Sequence, residues 1–131
     1  FHLAPFETWL WMGRNGAQSG RTVAADIDAA VKSLRHARYL VGSILPSVAD
    51  SVPSLASLSA LNAQLGSTYG ARFVNVLAAL VAGANGSPED SADVAAGYVP
   101  RSLRSDHLHL NDGGYARVAA AFHAAHQAMG W

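Results

Sequence analysis

Residues 105–122, SDHLHLNDGGYARVAAAF, put an acid and two histidines within four positions, ahead of Asn-Asp-Gly-Gly and an Ala/Val/Phe pattern of helical spacing. Three chemistries fit that cluster. Asp106 and His109, three residues apart in a tight turn, can meet side by side. One ring nitrogen is then fixed by the carboxylate, and the other serves as base toward a hydroxyl nucleophile. Alternatively, His107, His109, His123 and His126, arranged as HLH and HAAH, hold enough imidazole for a three-ligand zinc site. The third reading makes Asp106 a loop acid or helix cap, and His36, His107, His123 and His126 surface or packing histidines. The chain has no cysteine and no His-Glu-x-x-His, so thiolate metal sites and disulfides are excluded and metal is the weaker chemistry. No cofactor is implied. A second polar stretch, Gly13-Arg14-Asn15-Gly16, lies far upstream.

What could bring the two stretches together is a parallel sheet. TWLWMG, Thr8 to Gly13, is a short continuous apolar run that suits a strand buried on both faces. Val23, Ile27, Ala30, Val31 and Leu34 recur at helical spacing, with Asp26, Asp28, Lys32 and Arg35 off the stripe. ARYLVGSILP, Ala37 to Pro46, reads as a second buried strand, and Leu55, Leu58, Leu61 and Leu65 mark a helix ending near Gly66 or Gly70. A third strand is expected over about residues 72–76, running into a short helical turn. Residues 83–105, rich in Gly, Ser, Asp and Pro, read as one long loop. Tyr115, Val118, Phe122 and Met129 form the stripe of a last helix. The order β-α-β-α-β-loop-α predicts one α/β domain over residues 1–131, three-layer α/β/α with a parallel sheet. In such sheets ligands bind beyond the carboxyl ends of the strands. Both GRNG and DHLH fall at that end.

On these residues the chain resembles the SGNH (GDSL-like) hydrolases, a flavodoxin-like α/β/α family of esterases, lipases, deacetylases and thioesterases. Gly13-Arg14-Asn15 matches the family's GxN after an apolar strand. Asp106, His109, Gly114 and Tyr115 match its DxxHxxxxGY block in order and spacing, and YGARFVNVLAAL is similar to its strand before the catalytic loop. The likeness runs from about Thr8 to Met129 and covers the later part of the family domain. It implies a serine-type hydrolase of carboxylic esters with a small ester substrate. His109 would be the base and Asp106 its orienter. Asn15, with Gly13, would line the oxyanion hole, a donor worth roughly 3 kcal/mol in such sites.

The family's GDS block is absent, and Gly16 stands where many members carry Asp. Ser43 and Ser19 are the candidate serines within the chain, but neither sits in a G-x-S-x-G elbow, and each reads as an ordinary loop serine. The expectation is a nucleophile outside this chain, with the N-terminal strands missing or supplied by another chain that carries the GDS strand, or with a homo-oligomer. A start at Phe1 without a signal-peptide pattern suits a processed chain or a piece of a longer one. Without such a strand, Trp9 and Trp11 would mark an exposed apolar edge. Charged residues make up 14% of the chain, against roughly 25% in ordinary domains, and net charge is zero. That argues for surface hidden against another chain, and against nucleic acid or an anionic membrane. No run is long and apolar enough to span a bilayer. The compartment stays open, secreted or periplasmic being compatible. The alternative function is a non-catalytic α/β remnant kept for binding or assembly.

Overall fold

The computed structural model describes residues 6–17 and 22–131. Three parallel strands, β1 (Thr8–Leu10), β2 (Tyr39–Gly42) and β3 (Phe73–Val74), lie in the order β1-β2-β3. Six helices join them: α1 (Arg14–Ala17), α2 (Val23–Ser33), α3 (Val52–Tyr69), α4 (Val76–Val81), α5 (Pro88–Ala95) and α6 (Asp112–Ala128). The fold is α/β with a parallel sheet, and its strands are shorter than the apolar runs that contain them. The ladder ends at Leu10 and Gly42, and the remaining apolar residues of both runs continue into the loops at the carboxyl end of the sheet.

Alternation along the strands sorts the helices into two layers. Trp9 pairs with Leu40, and Leu10 with Val41. Leu40 and Val74 join Leu80, Val118 and Phe122 in one core, under α4 and α6. Val41 joins Val23, Ile27, Leu58 and Leu65 in the other, under α2 and α3. Since successive side chains point to opposite faces, a two-sided core needs adjacent apolar residues, which Leu40 and Val41 of β2 supply, one to each core. Gly42 lets the layers close: a Cβ there would lie 2.8 Å from Phe122 Cζ and 2.9 Å from Trp11 Cδ1.

The outer edge of β1 has no strand partner among the described residues. Trp9, 45% exposed, stacks on Phe122 of α6, with ring centroids 5.2 Å apart and planes nearly parallel. Glu7 ties the same corner together, accepting from Trp9 Nε1 at 2.5 Å and meeting His126 Nδ1 at 2.7 Å.

The stretch 83–105 corrects the expectation of a single long loop. It contains α5, opened by Ser87, whose hydroxyl accepts from the Asp90 amide, with Pro88 in the first turn, and a 3-10 turn over Arg101–Leu103. Ser-Pro-Glu-Asp is a helix start written in polar residues; the helix buries carboxylates instead of an apolar stripe. Asp90, fully buried, accepts from Asn85 N, Ser102 N and Ser102 Oγ. Asp93 binds Arg101 and Arg104. Burial pushes the Asp90 carboxyl up, but the hydrogen bonds from Ser102 and Asn85 and the nearby Arg101 charge outweigh it and hold it below the usual range. Hydrogen bonding from Arg101 lowers Asp93; burial opposes this, and Arg104 adds to the lowering.

Both carboxyls titrate lower folded than unfolded, so their stabilisation is complete above the ordinary aspartate range. It drains away as pH falls through about 4, where the unfolded chain binds protons first. Urea unfolding midpoints should therefore hold between pH 7 and 5.5 and drop towards pH 3.5. Asp93→Ala, which removes the carboxylate partner of the largely buried Arg104 guanidinium, should cost about 3–5 kcal/mol at pH 7 and flatten the acid drop. A midpoint insensitive to acid in the unsubstituted protein would contradict this.

Candidate active site

The loop before α6 is built around Asp106. Its Oδ1 accepts from the amides of Leu108 and His109, both at 2.7 Å, and its Oδ2 meets His109 Nδ1 at 2.7 Å. The turn is closed from outside by Ser105 N to His109 O, by a bridge between Arg104 and Leu110, and by Asn111 N to Leu103 O. Asn111 then caps α6 by accepting from the Gly114 amide, while its own amide group donates to Ser102 O. Arg104 reaches back from this loop. It donates to Val99 O, to Asp106 O and to Asp93, so the buried acid of α5 fixes the backbone of the orienter.

These bonds set the protonation pattern. The hydrogen bond from the His109 amide, then those from its ring and from the Leu108 amide, hold the Asp106 carboxyl far below the usual carboxylate range. An ionised carboxylate only accepts, so Nδ1 carries the ring proton, and the Nε2 lone pair of the neutral ring faces away from Asp106. The pair is open: His109 is 66% exposed and Asp106 44%.

The other motif is held just as specifically. Gly13 has φ of +109°, and a Cβ there would lie 2.5 Å from Val23 Cγ1 and 3.0 Å from Ile44 Cδ1. The chain turns there between β1 and α1 in a backbone conformation and a space that only glycine accepts. Asn15, exposed in the one-turn helix α1, follows it. Arg14 makes a bidentate pair with the buried Asp50, Nη1 to Oδ2 at 2.8 Å and Nη2 to Oδ1 at 2.6 Å. Gly114 in the later motif is required for a similar reason: a Cβ would come within 2.3 Å of the Leu103 carbonyl oxygen.

The two motifs share one cleft of about 540 Å³ beyond the carboxyl ends of β1 and β2. Gly13, Arg14 and Asn15 come to it from one side, and Leu108, His109 and Leu110 from the other. Trp11 and Tyr115 meet edge to face there, at 6.4 Å. The linkage runs through the turn after β2, where Ser47 Oγ and Val48 N both donate to His107 O. Asp50 closes that turn by accepting from Ser47 N at 2.8 Å. Neither Ser47 nor Asp50 was expected from the sequence. The signal available was that Asp50 is the only charged residue between Arg38 and Arg72.

Other candidates fall elsewhere. Ser43 is buried, its hydroxyl accepting from Leu77 N at the start of α4 and its carbonyl from Trp11 Nε1, so it is a structural residue. Ser19 lies outside the described residues. Among the described residues the cleft lining holds no Ser, Thr or Cys. His107 serves through its carbonyl, and His123 stacks beside His126, whose Nδ1 is engaged by Glu7. No three His, Cys, Asp or Glu groups gather as a metal site among the described residues. No helix among them is long and apolar enough to cross a membrane.

Fold and site thus define a three-layer α/β protein with an acid–imidazole pair and an amide side chain facing one apolar cleft. Comparison with protein-family models, with curated proteins and with solved structures finds no match.

The geometry of the acid predicts its titration. Carboxyl carbon NMR shifts should show Asp106 still ionised at pH 3, where an unperturbed aspartate, with a value near 3.9, is mostly protonated. A midpoint near 4 would mean that the Leu108 and His109 amides do not hold it in solution.

Proposed function

We propose that this chain carries the base and oxyanion portion of a serine-type carboxylic-ester hydrolase of the SGNH (GDSL-like) kind. The observation that carries the reading is the 2.7 Å contact between Asp106 Oδ2 and His109 Nδ1, in a cleft that Asn15 also lines. In the reaction, His109 Nε2 takes the proton of a serine hydroxyl as its oxygen bonds to the ester carbonyl carbon. The carbonyl π electrons move onto oxygen, where the Asn15 amide donates to the charge. Collapse of that intermediate breaks the bond to the alcohol, which leaves with the proton from Nε2. Water then repeats the sequence on the acyl-enzyme and returns the serine. Asp106 stays ionised throughout and stabilises the imidazolium.

The serine comes from a strand added to the outer edge of β1 by another chain. Three facts support that placement. The β1 edge has no partner among the described residues, the described lining holds no Ser, Thr or Cys, and Phe6, Trp9, Trp11 and Met12 stand exposed beside that edge. The lack of a nucleophile in the described lining is also what favours a second reading, a binding or assembly module without catalysis.

Hydrolysis of 4-nitrophenyl butyrate, with intact-mass analysis of the same preparation, separates these. Activity is expected only where a chain bearing Gly-Asp-Ser is present, blocked by a serine-reactive phosphonate and indifferent to chelator. His109→Ala should lose at least 10²-fold. Asn15→Ala should lower kcat about 10²–10³-fold with little change in KM, since its donor acts on the transition state. A phosphonate adduct on Ser19 would move the nucleophile into this chain. No turnover in a folded preparation containing both parts would overturn the hydrolase and leave the binding module.

A further inference from the structure

We infer that the cleft selects an uncharged ester with an apolar acyl or aryl part, and that Asp50 sets this selectivity by neutralising Arg14. The inference rests on the reading of the cleft as an ester-hydrolysing site and names the substrate class that the site takes.

The cleft is apolar where a substrate's body would lie. Val23, Ile44 and Leu45, all buried, come from α2 and from the segment after β2. Ile44 is fixed there by the Asn62 side chain of α3, which accepts from its amide at 2.8 Å and donates to its carbonyl at 2.9 Å. Trp11 is held by its indole N–H on Ser43 O at 3.0 Å and packs against Tyr115. These are positioned apolar surfaces of the kind that bury a small ligand's hydrocarbon, and the volume lies in the range of small-molecule sites, about 300–1,000 Å³.

Charge decides the rest. Apart from the exposed His109, the ionisable lining residues of fixed charge among those described are Arg14 and Asp26. Arg14 would ordinarily be the anchor for a carboxylate or phosphate. Here both its terminal nitrogens are engaged by Asp50, a carboxylate 1% exposed that also accepts from Ser47 N. A buried carboxylate on a guanidinium cancels the field that an anion would seek. Among the described residues an anionic substrate would thus shed water without gaining a partner of fixed positive charge, which is costly, whereas a neutral apolar one loses little.

The test uses two inert amide isosteres of an ester: N-butylhexanamide, which is neutral, and the mono-N-butylamide of adipic acid, which adds a carboxylate. Binding to the full chain is read by calorimetry and by Trp11 fluorescence, with Trp11→Phe separating it from Trp9 and Trp131. The neutral amide is expected to bind at least tenfold more tightly. Asp50→Asn, which uncovers the guanidinium charge, should narrow the ratio below threefold by gaining affinity for the anion. Equal or tighter binding of the anion to the unsubstituted chain, or no binding of the neutral amide, overturns the substrate class. An unchanged ratio in folded Asp50→Asn overturns the role of Asp50. Should that variant not fold, salt decides the point in the unsubstituted chain: affinity for the anion should not fall between 20 and 300 mM NaCl, and a fivefold fall would mean that Arg14 is open to anions. Hydrolysis of 4-nitrophenyl hexanoate reports separately on catalysis. Selective binding without turnover would retire the hydrolase and keep the ligand class; turnover without selectivity would do the reverse.

Discussion

The cleft exists because of one short turn. Residues 46–50 follow the second strand, and within them Asp50 clamps Arg14 while Ser47 and Val48 hold the carbonyl of His107. Arg14 opens the one-turn helix that carries Asn15, and His107 lies between Asp106 and His109. Two segments some ninety residues apart are thus tied to the same five residues. A four-residue helix has almost no stability of its own, so the place of Asn15 depends on its neighbour's bidentate pair with a buried carboxylate. Breaking such a pair on one side leaves an uncompensated charge, and that makes its geometry stiff.

A second carboxylate system braces the site from behind. Asp93 on α5 takes Arg104, and Arg104 takes the carbonyl of Asp106. Asp90 on the same helix pins Ser102, whose carbonyl receives the Asn111 side chain that caps α6. The acid–imidazole pair is open to solvent, yet its backbone is fixed by groups that are not. That is a workable arrangement for a reactive histidine: access at the ring, rigidity in the peptide behind it.

These polar braces are the part that the sequence conceals. The apolar run around β2 pointed to a parallel sheet between two helical layers, and β2 is buried on both faces; β1, expected to be buried in the same way, is instead an edge strand with Trp9 nearly half exposed. Asp106 and His109 were legible because residues three apart in a tight turn can meet; Gly13 and Asn15 were reached through the resemblance to GxN, and the structure adds a glycine at positive φ beside Val23 and Ile44. Helix α5 was not legible, since it buries Asp90 and Asp93 where periodicity looks for apolar residues. The Asp50–Arg14 pair joins residues 36 apart, and nothing in the local pattern around either one encodes the other. Only the isolation of Asp50 in an otherwise uncharged stretch hinted at it.

What the described fold leaves open is an edge, and the edge adjoins the chemistry. β1 pairs with β2 on one side and has no strand partner on the other among the described residues, with Phe6, Trp9, Trp11 and Met12 exposed near it. An unprotected apolar edge invites pairing, and a chain this poor in charge has few gatekeepers to resist it. Trp9 stacks on Phe122 on the α6 face of the sheet, a partial remedy that leaves nearly half of its own surface exposed. A parallel strand laid against β1 would cover that aromatic row and end beside Gly13, at the mouth of the cleft that His109 faces. On the proposed reading the stabilising partner and the source of the nucleophile are therefore one element. On that reading the edge left without a strand partner among the described residues is the one that completes the site.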